Sequence, residues 1–167
     1  ISNNTALLES RFEWDGIGFE IKEYEAQMYN DHRRSKVAVG DATTADFDAL
    51  FEEVNLGPTF DYLQVDCEPA EVTFEALKRI DLTKYKFATI TFEHDSYNDG
   101  TSVRDASREY LESHGYVLVA DNISVDEEHP FEDWWCHPDL VPSHTLDAMK
   151  CVNGETKKAE DYMLGRV

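Results

Sequence analysis

Hydrophobic positions along this chain fall into two alternating patterns. Short, nearly unbroken apolar runs occur in "GIGFEI", "KVAVGD", "FDYLQVD", "KFATITFEHD" and "YVLVADNIS", and these predict strands buried on both faces. Between them, "KEYEAQMYNDHRR", "TADFDALFEEVN", "PAEVTFEALKRI" and "SVRDASREYLESHG" carry apolar residues at helical spacing. Their ends bear helix punctuation: acids early in the second, Pro69 suited to the first turn of the third, and Gly115 closing the fourth. An amphipathic helix is predicted in "NNTALLESRF" and a last short strand in "FEDWWCH". The tail "SHTLDAMKCVNGETKKAEDYMLGRV" reads as either helical or loose.

Strand and helix in alternation predict an α/β fold. The expectation is a Rossmann-like, doubly wound, mostly parallel sheet with helices on both faces, spanning 1–145 and followed by a tail at 146–167. The first helix has no strand before it, although a right-handed crossover needs one. The chain therefore reads as a fragment whose opening strand and following loop are missing. "GIGFEI" is expected either to pair directly with "FDYLQVD" or to pair with another chain, which would make a homodimer through an exposed sheet edge.

Composition narrows the function. The chain has 167 residues, 41% hydrophobic and 12% aromatic, enough for a core. A net charge of −20 disfavours nucleic acid and anionic membranes as partners. No apolar run approaches the roughly 18–20 residues of a membrane span, and the N-terminal residues have neither a basic nor an apolar leader region. Cys67, Cys136 and Cys151 have no metal-like spacing and read as free thiols of a reducing, cytoplasmic setting.

In an open parallel sheet, ligands sit at the carboxyl ends of the strands. Successive predicted strands end in Glu20, in Asp41, in Asp66 with Glu68 just beyond, and in Glu93, His94 and Asp95. A carboxylate accepts two hydrogen bonds at once, which suits Glu20 to a pair of ribose hydroxyls and Asp41 to an exocyclic amine. Asp66 suits an ammonium, a metal ion or an acceptor hydroxyl. His94 titrates near neutrality when unperturbed and is a candidate general base. Structural roles remain open for each: Asp41 and Asp66 as helix N-caps, Glu68 and Glu71 as complements to a helix N-terminus, His94 as a satisfied interior histidine. "WWC" at Trp134–Cys136 reads more readily as packing than as a stacking platform.

The stretch "FDYLQVDCEPAEVTFEALKRIDLTKYKFATITFEHD" resembles the central part of FkbM-type S-adenosylmethionine-dependent methyltransferases. Asp66, Glu68 and Glu71 match one family motif, and Glu93, His94 and Asp95 match another; "REYLESHGYVLVADNIS" and "FEDWWCHPDL" resemble its closing elements. Pro69 departs from the small residue usual between the motif acids, and the family's glycine-rich loop is not present. "SNNT" resembles the start of the helix that follows that loop. The resemblance implies S-adenosylmethionine as cofactor, with its ribose on Glu20 and its adenine at Asp41 and Ala42. It further implies Asp66 beside the transferring methyl group, with Asp66, Glu93 and His94 as catalytic candidates. The implied reaction is O-methylation of a small molecule or sugar hydroxyl. Without the loop, weak or absent cofactor binding is expected. Two other readings stay open: a non-catalytic or partner-completed α/β module, and a metal-dependent hydrolase using Asp66, Glu68, Glu93 and His94.

Overall fold

A computed structural model describes residues 5–166. The start of the expected first helix at Ser2–Asn4 lies outside the described residues. The chain divides into two compact units, one ending at Ala45 and the next beginning at Asp46.

The first unit contains α1 (Ala6–Phe12), β1 (Ile17–Glu20), α2 (Glu23–His32) and β2 (Lys36–Val39). β1 and β2 pair in parallel as a two-stranded sheet, with Glu20 opposite Val39. Direct pairing of "GIGFEI" with "FDYLQVD" is not found: β1 bonds to β2 instead. The side chain of Asn30 donates to the Val37 carbonyl at 3.0 Å and accepts from the Val37 amide at 2.8 Å, so it satisfies edge groups that a further strand would otherwise take. Glu9 ties α1 to the α2–β2 loop, accepting from Arg33 Nε at 2.9 Å, the Arg34 amide at 3.1 Å and the Ser35 amide at 2.7 Å.

The second unit contains α3 (Phe47–Glu53), β3 (Thr59–Val65), α4 (Ala70–Lys78), β4 (Lys86–Glu93), α5 (Ser96–Asp99), α6 (Ser102–Ser113), β5 (Val117–Ser124), β6 (Glu132–Cys136), α7 (Ser143–Met149), β7 (Lys157–Lys158) and α8 (Ala159–Met163). Its five-stranded sheet has the order β3-β4-β6-β5-β7. The sheet is mixed rather than mostly parallel: β3–β4 and β5–β7 are parallel, but β6 runs antiparallel to both β4 and β5. Loop length explains the reversal. The connection 125–131 is shorter than the dozen or so residues a parallel crossover needs, so β5 and β6 form a hairpin and β6 inserts beside β4.

Sequence periodicity sets the buried faces. α4 buries Ala70, Thr73, Ala76 and Leu77, and α6 buries Val103, Ser107 and Leu111. Phe60 and Phe87 stack at 4.8 Å across the β3–β4 pair, with Phe51 4.8 Å from Phe60. Each ring buried here contributes on the order of 1.5–3 kcal/mol. The "WWC" segment is largely core: Trp135 and Cys136 are fully buried, while half-buried Trp134 meets Tyr162 edge-on at 5.0 Å. The tail is neither wholly helical nor loose. It supplies α7, β7 and α8, and buried Lys157 pins it to β5 by an ion pair with Asp121 at 2.6 Å.

Candidate functional site

Within the first unit, Glu20 ends β1, and Asp41 lies two residues past the end of β2. Because the two strands are parallel, both acids stand at that unit's carboxyl edge. Glu20 Oε1 accepts from the Lys22 amide at 2.9 Å. Asp41 Oδ1 accepts from Thr43 twice, from its amide at 2.9 Å and its hydroxyl at 2.7 Å, and these bonds hold its pKa below the ordinary value. Asp41 thus braces a turn that includes half-buried Ala42. The N-cap of the next helix is Asp46, whose carboxylate accepts from the Ala49 amide at 3.0 Å.

In the second unit, Asp66 follows the last residue of β3 and Glu93 ends the neighbouring parallel strand β4, with Val65 opposite Phe92. The structure brings these two together, and Glu93 shares hydrogen bonds with both Asp66 and Asp95. Burial, followed by those bonds and the charges of Asp66 and Asp95, pushes the Glu93 carboxyl up to about 9. Glu93 is therefore protonated at neutral pH and donates to its neighbours. Asp95 is also raised, chiefly by burial.

Sequence reading missed a fourth acid. Glu132 opens β6 directly opposite Glu93 in the antiparallel ladder. It is nearly buried and accepts a hydrogen bond from Trp134 Nε1. Burial and the Asp66 charge raise it to about 7 against the opposing bonds from Trp134 and Thr91. Tyr62 on β3 bonds Thr91 at 2.8 Å, and burial with the nearby acids lifts its hydroxyl to about 12. Among the described residues, no lysine or arginine forms an ion pair with Asp66, Glu93, Asp95 or Glu132. Nor does any group of three or more His, Cys, Asp or Glu among those residues have an arrangement that could hold a metal ion. Glu68 and Glu71, the other acids of the expected motif, are exposed beside the start of α4.

His94 points elsewhere. Its ring is 0% exposed. Nδ1 accepts from the Ser96 amide at 3.2 Å, and Nε2 lies 3.4 Å from Asp133 Oδ1 without an aligned hydrogen bond. Asp133, also fully buried, accepts from Arg108 Nε at 2.7 Å and Nη2 at 2.9 Å, and from the Asn122 amide at 2.9 Å. Burial opposes its ionisation, but His94 and Arg108 outweigh it and hold the carboxyl at about 2. Neither Asp133 nor Arg108 had a distinguishing sequence signal; only the β6 register brings Asp133 opposite Phe92.

No protein-family model matches the chain. A search of curated proteins also finds no match. Among solved structures the chain is similar to the crystal structure of S. pombe Dnmt2 methyltransferase, with a TM-score of 0.49 and 12% sequence identity, over 83% of this chain and 48% of that one. The chain thus spans about half the length of that structure. No helix among the described residues is long and apolar enough to cross a membrane.

Proposed function

We propose that the chain is a methyltransferase-type protein whose second unit recognises the cationic part of S-adenosylmethionine and carries out O-methylation of a small molecule or sugar hydroxyl. The supporting observation is the carboxyl cluster at the edge of β3 and β4. Four acids crowd together, and no lysine or arginine among the described residues pairs with them. Crowded carboxyls either hold protons or take up a cation. A sulfonium carries a permanent positive charge and needs no coordination shell, so the cluster fits it without a metal-like donor arrangement. The sequence resemblance around Asp66 and Glu93 points to the same cofactor.

When bound, the cofactor supplies an electrophilic methyl group for in-line transfer. Asp66 is exposed and is the acid placed to accept the proton of an incoming hydroxyl. Protonated Glu93 donates to Asp66 and fixes its orientation. For the first unit, taken by itself, the resemblance implies ribose and adenine roles for Glu20 and the Asp41–Ala42 turn. Buried His94 is not the base in this reading.

The test is transfer of an isotopically labelled methyl group from S-adenosylmethionine to a panel of sugars and phenols. Transfer that falls at least tenfold in Asp66→Asn, with folding intact, supports the proposal. Absence of transfer to every acceptor, together with no cofactor binding, returns the chain to the non-catalytic reading.

A further inference from the structure

We infer that His94 is a positioning residue whose buried imidazole, accepting from the Ser96 amide, locks the turn that holds the Asp95 carboxyl against Glu93. The role for ligand binding rests on the function proposed above, but the turn itself does not. Asp95 sits at φ 43° and ψ 39°, left-handed backbone that is uncommon outside glycine, although Asp enters it more readily than most residues.

Hydrogen bonds on both sides of Asp95 supply the constraint. The amides of His94 and Asp95 both donate to the Phe131 carbonyl, at 2.6 and 3.1 Å. Downstream, Ser96 donates its amide to His94 Nδ1 at 3.2 Å and its hydroxyl to the Pro130 carbonyl at 3.1 Å. On the α5 side the Asp95 carbonyl accepts from the Asn98 and Asp99 amides at 2.9 and 3.1 Å, and the imidazole adds a side-chain link to Ser96 that ties the start of α5 back to β4. Accepting at Nδ1 leaves the ring proton on Nε2, and that nitrogen faces Asp133 Oδ1 at 3.4 Å. Arg108 and the Asn122 amide fix Asp133 in turn. The ring is thus buried between the Ser96 amide and the neighbourhood of Asp133, with a hydrogen bond on the Ser96 side. Charged and titratable groups around Glu93 come from four elements: Asp66 after β3, Asp95 beside β4, Tyr97 on α5 and Glu132 on β6.

Carbon-detected NMR of 13C-glutamate-labelled protein tests this without any cofactor, so its outcome is separable from that of the methyl-transfer assay. Burial and the neighbouring Asp66 and Asp95 carboxyls push Glu93 up to about 9, the midpoint expected for the wild-type protein. His94→Leu removes the acceptor for Ser96 and loosens the Asp95 turn, and the Glu93 midpoint drops toward that of Asp95→Asn. His94→Asn keeps an acceptor where Nδ1 lay and retains most of the wild-type midpoint. An unchanged midpoint in folded His94→Leu overturns the proposal, as does an equal drop in both His94 variants. Should His94→Leu fail to fold, the wild-type ring decides: long-range 15N spectra showing the proton on Nε2 support the lock, and a proton on Nδ1 refutes it.

Discussion

Replacing Lys157 by methionine strands a buried carboxylate. Asp121 and Lys157 have side chains only 2% and 3% exposed, and Nζ lies 2.6 Å from Asp121 Oδ1. The ammonium also donates to the Glu155 carbonyl at 2.8 Å and the Asp121 carbonyl at 3.3 Å. Breaking a buried pair from one side typically costs about 3–5 kcal/mol. Here the Gly154 amide at 2.8 Å and the Asn153 amide at 3.3 Å still donate to the carboxylate, so a cost of about 3 kcal/mol is expected, near the lower end of that range. The double variant Asp121→Leu/Lys157→Met removes both charges and is expected to recover much of the loss, giving a coupling of about 2 kcal/mol or more. Urea unfolding followed by tryptophan fluorescence reads this directly, because Trp134 and Trp135 lie on β6 beside β5. A Lys157→Met loss below about 1 kcal/mol, or a double variant no better than the single, would refute the claim that the pair is dry and mutually dependent.

Two pH effects follow from the carboxyls. Glu93 is raised from its ordinary 4.5 to about 9, so its contribution to stability is complete below 4.5 and lost as pH rises through 9; Glu93→Gln should flatten that alkaline loss in urea midpoints measured from pH 6 to 10. Glu9 is the opposite case: burial raises its carboxyl, but the Ser35 and Arg33 bonds outweigh this and lower it to about 2. Its contribution is present above 4.5 and lost as pH falls through 2, so Glu9→Gln should increase amide exchange in α1 and the α2–β2 loop at pH 6 yet make little difference near pH 2.

Much of the fold was legible because period and punctuation are local properties. Gly115 does sit at positive φ just past α6, and every strand expected from an apolar run is present. Sheet direction was not legible: a strand as short as β6 reads the same in either direction, and the hairpin loop at 125–131 decides it. At the site, the tips of β3 and β4 were visible as acids ending apolar runs, and the parallel register does bring Asp66 and Glu93 together. Glu132 and Asp133 were hidden because they open a strand. Their meeting with Glu93 and Phe92 depends on an antiparallel partner nearly forty positions away, which no local pattern encodes. His94 looked catalytic by type and place, yet Phe131 and Ser96 fold its ring inward.

Amide chemical shifts during a ligand titration test the account most directly. S-adenosylmethionine and its neutral thioether product, S-adenosylhomocysteine, differ at the sulfur by one methyl group and one positive charge. The carboxyl cluster predicts saturable shifts at Asp66, Glu93 and Asp95 with the sulfonium and much smaller ones with the thioether. Binding should tighten from pH 7 to 9 as Glu93 gives up its proton, and that rise should vanish in Glu93→Gln. Equal responses to the two ligands, or none at these residues up to millimolar sulfonium, would contradict the cluster as a cofactor site.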